Sequence, residues 1–273
     1  MEYDPSQFVG SARYYLEGRP AYSARLGEVL TEALGLDGTG VLVDVGAGPG
    51  TVSAQLGGLY EQVIVVEPDP AMLAEARRHL GEQGVRAEFV QATAEQLPEL
   101  GLPAARAVAF GQSFHRVDRL PVAEAVHDLL APGGAMLLIT HDYLSQPRGP
   151  VPTAPPVPHL EIHALVKRYT GPHLRSGNRL VRDLVAEPFA ETLARTSFGG
   201  SERLLAPGRT DIIRDVDGVI AGVRSMSYAT PAVLGDDLDP FLADLRALLE
   251  AESPTDRFWD WPGDTEVILA RKS

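Results

Sequence analysis

Asp44, the glycines that follow it, Glu67 and a turn carrying Gln112, Ser113 and His115 are the residues whose types and spacing could do chemistry. Residues 41–50 read VLVDVGAGPG, a β-branched apolar run that delivers the chain into Gly46, Ala47, Gly48 and Gly50. With Val52, Ala54 and Leu56 on the inner side of a following helix, this spells strand, bare turn and helix N-terminus, a cradle for a nucleotide-like cofactor. A dinucleotide fingerprint would put a third glycine at 51, where this chain has Thr51. An acid two residues before the first glycine would repel a pyrophosphate but suits a cationic amino-acid moiety, so Asp44 favours a zwitterionic ligand over NAD. The next apolar run ends at Glu67 and Pro68. Glu67 lies about twenty residues past the turn, where an acid can accept hydrogen bonds from both ribose hydroxyls.

His115 follows the fourth apolar run and titrates near neutral pH, which makes it the first candidate for a general base. Gln112 and Ser113 could bind the ligand beside it. His141, with Asp142, is a second acid/base candidate at the end of another apolar run. Each has a plainer reading as well: His115 can bond its own turn, Glu67 can face water, and His141 can cap a strand. His159 and His163 stand at i and i+4, a zinc-chelating spacing, but Leu160 occupies the place where H-E-x-x-H needs its glutamate. The turn after the fourth run offers Gln112 and Ser113 where a magnesium site would need carboxylates. No metal is predicted.

The acid followed by G-x-G-x-G resembles the first motif of the class I S-adenosylmethionine-dependent methyltransferases. The turn GQSFHRVDR at 111–119 resembles the equivalent turn of the bacterial small-molecule group related to trans-aconitate methyltransferase, with Arg116 and Val117 where relatives often have Trp-Phe. FVGSARYYLEGRPAY at 8–22 and RFWDWPGDTEVILARK at 257–272 are similar to that group's terminal segments. The resemblance implies S-adenosyl-L-methionine as cofactor and a small molecule as methyl acceptor. It also implies that the helix opening at Met72 covers ribose and adenine, and that Thr93, Ala94 and Glu95 form the turn that reads the adenine amino group. Tyr15 and Arg19 would close over the cofactor, the arginine toward its carboxylate. Transfer to a hydroxyl oxygen is the expected reaction. The alternatives are a non-catalytic cofactor-binding partner or regulator and, behind it, an NAD-dependent oxidoreductase.

Alternating strands and helices from 41 to 141 predict an α/β, doubly wound, Rossmann-like sheet. Its strands are read at 41–45, 63–67, 87–92, 106–110 and 135–141, completed by 202–207 and an antiparallel 266–271 to make seven. Helices are expected at 21–35, 71–80, 120–134, 158–170, 186–196, 211–225 and 238–252. Between them, 145–158 holds six prolines in fourteen residues and cannot be a helix or inner strand. One domain spanning 1–273 is expected. Its core would be about 36–144 plus 200–210 and 262–273, and a helical lid would come from about 1–25, 145–198 and 211–260.

A chain of 273 residues with 44% hydrophobic content can bury a large core without staples. The absence of cysteine excludes disulfides and a covalent cysteine mechanism. A net charge of −13 argues against a phosphate backbone as partner. No apolar run approaches the length of about 20 needed to span a membrane, and the N-terminus does not read as a signal peptide, so a cytoplasmic location is expected. Lys167 and Lys272 are the only lysines beside 22 arginines, which suggests a GC-rich bacterial genome. Oligomeric state is not legible.

Overall fold

The computed structural model describes residues 8, 10–176, 179–180 and 187–273. Ala12–Gly18 forms α1 and Leu26–Leu34 forms α2, closed by Gly35 in the left-handed conformation. There follow β1 (Val41–Val45), α3 (Thr51–Leu56), β2 (Gln62–Val66), α4 (Pro70–Glu82), β3 (Glu88–Val90), β4 (Ala105–Gly111), α5 (Arg119–Leu129) and β5 (Leu130–Asp142). Helix α4 starts where it does because Asp69 accepts from the Ala71 and Met72 amides and Pro70 occupies its first turn.

The second half carries α6 (His159–Thr170), the short pair β6 (Arg175–Ser176) and β7 (Arg179–Leu180), and α7 (Phe189–Ala194). Then come β8 (Glu202–Ala206), β9 (Ile213–Arg214), α8 (Val216–Arg224), α9 (Pro231–Leu234), α10 (Leu238–Glu252), β10 (Phe258–Trp259) and β11 (Asp264–Arg271). The main sheet has seven strands in the order β3-β2-β1-β4-β5-β11-β8. Strands β3, β2, β1, β4 and β5 are parallel, while β11 runs antiparallel to both β5 and β8. This is the doubly wound sheet with an antiparallel last strand that the pattern predicts.

Residues of β1 show why both faces must be covered. Leu42 packs into a core with Leu30 of α2, Leu56 of α3 and Leu73 of α4, whereas Val43 and Val45 pack on the other face with Val122 and Val126 of α5. An apolar strand buried on both faces belongs inside a parallel sheet. A third core, separate from these, joins Ile162, Leu165 and Val166 of α6 to Val219 and Val223 of α8 and Phe241, Leu245 and Leu249 of α10. Helix α1 lies against α8 at a glycine crossing. A Cβ on Gly18 would stand 2.4 Å from the Ala221 carbonyl, so only glycine permits the approach.

Predicted elements change at their ends. The helix expected at 21–35 begins only at Leu26, because the Ser23 amide donates to Thr265 Oγ1 and the Ser23 hydroxyl to the Pro207 carbonyl. The helix expected at 211–225 begins only at Val216, because Ile213 and Arg214 pair with Trp259 and Phe258 and Asp215 caps the helix through the Gly218 amide. The helix expected at 120–134 stops at Leu129, and Leu130 already pairs with Ala105 as the first residue of β5. The third strand ends at Val90, and Ala94–Glu99 continue as a 3₁₀ helix. Of the helix expected at 186–196, residue 186 lies outside the described residues, and the described remainder is helical only over α7, Phe189–Ala194. The proline-rich stretch is an extended segment held by β10: Trp259 donates to the Pro155 carbonyl and Val157 donates to that of Trp259.

Candidate cofactor and acceptor site

Asp44 sits at the C-terminal end of β1 with no exposed surface. Its Oδ2 accepts from the Ser53 amide at 3.0 Å and from the Ser53 hydroxyl at 2.7 Å, which staples the strand to the first turn of α3. Its Oδ1 is buried and has no partner. Burial pushes the Asp44 carboxyl up to about 6 against the pull of these hydrogen bonds. An unpaired carboxylate oxygen beneath the glycine turn is a place for a donor that a ligand brings, and a site hostile to phosphate. Of the turn itself, Gly48 has φ +56°, and a Cβ there would meet nothing within 4 Å, so the backbone is open to a close-lying ligand. Gly46 is bare for another reason: a Cβ would lie 2.7 Å from that of Ser113.

Glu67, one residue past β2, is 6% exposed. Its Oε2 accepts from the Gly48 amide at 2.8 Å and its Oε1 from the Asp69 amide at 2.9 Å, so one carboxylate holds two turns in register. Burial raises it to about 7, and the neighbouring Asp69 and Asp44 charges push the same way. Each oxygen still has accepting capacity for a ribose hydroxyl. Pro68 is half-buried and Met72 buried at the start of α4. On the next turn the Thr93 amide donates to Gln96, Ala94 packs in the core, and Glu95 accepts from the Asp118 amide at 3.1 Å, tying this turn to the one after β4.

That second turn is strained and pinned. Gln112 has φ +56°, uncommon for a residue with a side chain. Its amide donates to the Ile139 carbonyl and its side chain to the Tyr143 hydroxyl at 3.3 Å. The Ser113 hydroxyl donates to the Val45 carbonyl at 2.7 Å, so this serine joins the β4 turn to the glycine turn. Phe114 is fully buried and anchors the turn, and His115 beside it is half-buried.

His141 and Asp142 are not a pair. As neighbours on β5 they engage different partners: Asp142 is bridged by Arg203 at 2.9 Å, while His141 stacks on Tyr22 at 5.1 Å and bonds the Pro20 backbone. Its Nδ1 is buried without a partner, and burial lowers the imidazole to about 4, so it is neutral at physiological pH. Arg19 lies over the Tyr15 ring and donates to the Ser225 hydroxyl and carbonyl at 2.9 and 3.1 Å. His159 and His163 share a helix but not a metal cluster. His163 stacks on Tyr228, and His159 stands 3.9 Å from Asp260.

A cavity of about 1080 Å³ opens between the strand ends and the third core. Tyr15, Arg19, Gln112, Ser113, His115 and His141 all line it, with His159 and His163 on the helical side. Tyr228 and Trp261 also reach it, whereas Phe258 is buried in the helical core. Sequence reasoning missed Tyr143, Arg214 and Asp260. Tyr143 directly follows a strand end, a signal that was available. Asp260 becomes visible only once β9 and β10 pair.

Residues 42–134, from β1 into β5, match the model of a methyltransferase domain family. Methyltransferase cfoB of Aspergillus candidus is 31% identical over 126 residues, covering 44% of this chain and 39% of that protein. A ubiquinone biosynthesis O-methyltransferase of Pseudomonas paraeruginosa is 36% identical over 113 residues, covering 41% of this chain and 48% of that one. The chain therefore matches half or less of the length of these relatives. A solved structure from Anaeromyxobacter dehalogenans aligns over 93% of this chain and 96% of its own, with a TM-score of 0.52 at 23% identity. The YcgJ protein of Bacillus subtilis aligns over 90% and 97%, with a TM-score of 0.50 at 14% identity. Both are likenesses of fold.

Proposed function

We propose that this chain is an enzyme that transfers a methyl group from S-adenosyl-L-methionine to a hydroxyl oxygen of a small molecule. The observation that carries the reading is the pair of buried carboxylates around the glycine turn, Asp44 with an unpaired oxygen and Glu67 bound to the Gly48 amide. The unpaired oxygen suits the ammonium of a methionine moiety, and Glu67 suits a ribose diol. The same arrangement disfavours a dinucleotide, whose pyrophosphate would approach an acid with no countercharge. Met72, Pro68 and the turn Thr93–Glu95 are assigned to the nucleoside, and Tyr15, Arg19, Gln112 and Ser113 to the methionine end.

The cofactor would supply an electrophilic methyl group on a sulfonium, whose leaving group is a neutral thioether. The protein's work is then to place the acceptor oxygen about 3 to 3.5 Å from that carbon, exclude water and take up a proton. The strained Gln112 and the pinned Ser113 fix the β4 turn, and His115 on that turn is assigned as the base. His141, held neutral by burial, is assigned an orienting role in place of the acid/base role it would have shared with Asp142. We read the third core as a lid on a single domain, and the acidic charge as unsuited to nucleic acid. Among the described residues no helix is long and apolar enough to cross a membrane. Kinship with the trans-aconitate group, a bacterial source and a cytoplasmic location are part of this proposal and rest on the sequence.

The test is calorimetry with S-adenosylhomocysteine, followed by a labelled-methyl screen of hydroxylated small molecules. Binding in the micromolar range or better, about −8 kcal/mol, is expected. No binding would end the reading. Tight binding with no turnover on any acceptor would favour a non-catalytic cofactor-binding partner.

A further inference from the structure

The acceptor cavity has two properties that narrow what it takes. The whole cavity, about 1080 Å³, lies just above the roughly 300 to 1,000 Å³ of small-molecule sites, and the methionine end of the cofactor, assigned to Tyr15, Arg19, Gln112 and Ser113, takes part of it; much of the wall left to the acceptor is apolar. Ile162 and Val166 of α6 and Val219 and Val223 of α8 face it from the helical side, and Phe114 and Ile139 from the strand ends. A single-ring acceptor would leave most of that wall wet. The second property is a buried ion pair in the same wall. Arg214 Nε donates to Asp260 Oδ2 at 2.6 Å, with the two side chains 12% and 10% exposed. Arg214 also donates to the Glu17 carbonyl at 3.1 Å.

The other Asp260 oxygen is differently placed. Among the described residues its ion-pair neighbour is His159 Nε2 at 3.9 Å, beyond hydrogen-bond distance. A buried carboxylate in a cavity wall with accepting capacity left over rewards a ligand that brings a donor and penalises one that does not. From this we infer that the acceptor is a bulky, largely apolar molecule of several rings or a ring with a long chain, and that Asp260, oriented by Arg214, selects those carrying a hydroxyl or amine donor that reaches it. The inference rests on the methyltransferase reading for the word acceptor, but the binding preference can be measured without turnover.

The probes are phenol, 2-naphthol, 1-hydroxypyrene and pyrene, titrated with and without S-adenosylhomocysteine and followed by tryptophan emission, since Trp261 lines the cavity. Affinity should rise at least tenfold from 2-naphthol to 1-hydroxypyrene, and 1-hydroxypyrene should bind at least tenfold better than pyrene. Asp260→Asn should cut the preference over pyrene to threefold or less while S-adenosylhomocysteine affinity stays within threefold. Ile162→Trp, which fills the cavity from α6, should weaken 1-hydroxypyrene at least tenfold and leave phenol unchanged. A flat size series, or equal loss of pyrene and 1-hydroxypyrene in Asp260→Asn, overturns the inference and makes the ion pair a plain β9–β10 clasp. Failure to bind S-adenosylhomocysteine overturns the methyltransferase reading instead, and the series without it still decides this one.

Discussion

Replacing Glu67 with Gln tests the cofactor site at its most connected residue. The carboxylate accepts from the Gly48 amide at 2.8 Å and the Asp69 amide at 2.9 Å. Gln offers one acceptor oxygen and one NH₂, so whichever backbone amide faces the NH₂ meets a donor instead of an acceptor. The ribose diol then also loses a charged acceptor. Hydrogen bonds to charged groups contribute about 1.5 to 3 kcal/mol, so loss of one such contribution should weaken S-adenosylhomocysteine about tenfold to about 150-fold. pH gives an independent check. Glu67 is raised to about 7 in the unliganded protein, and ribose donors favour its ionised form, so binding should expel a proton. Affinity should therefore be full above pH 7 and fall as pH drops through 7, by up to about tenfold per unit while the bound form stays ionised. Calorimetry in two buffers of different ionisation enthalpy reads both the affinity and the proton. If Glu67→Gln binds like the native protein with the same pH slope, Glu67 only braces the turns and the ribose is held elsewhere.

Three further outcomes are expected. Converting His115 to Ala or Asn should lower turnover on a hydroxyl acceptor at least about tenfold, within the usual range for a general base, with cofactor affinity unchanged within about threefold; a parallel fall in binding would make it a structural neighbour. Turnover should survive a chelator, because Gln112 is engaged by Tyr143 and Ser113 by Val45 in the turn where carboxylate ligands would be needed; loss restored by magnesium or zinc would refute this. His141→Phe keeps a ring against Tyr22 and removes a titrating group whose folded value is depressed to about 4 from 6.5. A depressed histidine contributes nothing to instability above pH 6.5 and destabilises the fold as pH falls toward 4, where the unfolded chain alone binds the proton. The thermal midpoint of the native protein relative to this variant should drop over that window, and a constant difference would show that His141 is not held neutral.

The parts of this molecule that were legible are those where local chemistry and tertiary position coincide. Val41–Val45 is a strand wherever it is placed, because an uninterrupted β-branched run must be covered on both faces, and the glycines after it can only be a turn. Glu67 stands out for the same reason: it ends an apolar run at a fixed distance from that turn. Ile213 and Arg214 show the opposite case. Their periodicity suits the helix that follows, and only partners 46 and 44 residues away, Trp259 and Phe258, turn them into a strand. Nothing local announces such a partner. Asp142 shows a related limit, since its neighbour in sequence is His141 but its neighbour in space is Arg203. Side chains adjacent on a strand point to opposite faces, so adjacency in sequence counts against a dyad there. The lid wall follows the same logic, because Arg214 and Asp260 meet only through the β9–β10 pairing. A site assembled from turns of a regular sheet can be read along the chain, whereas one assembled by a lid depends on contacts between distant segments, and that is where Asp260 lies.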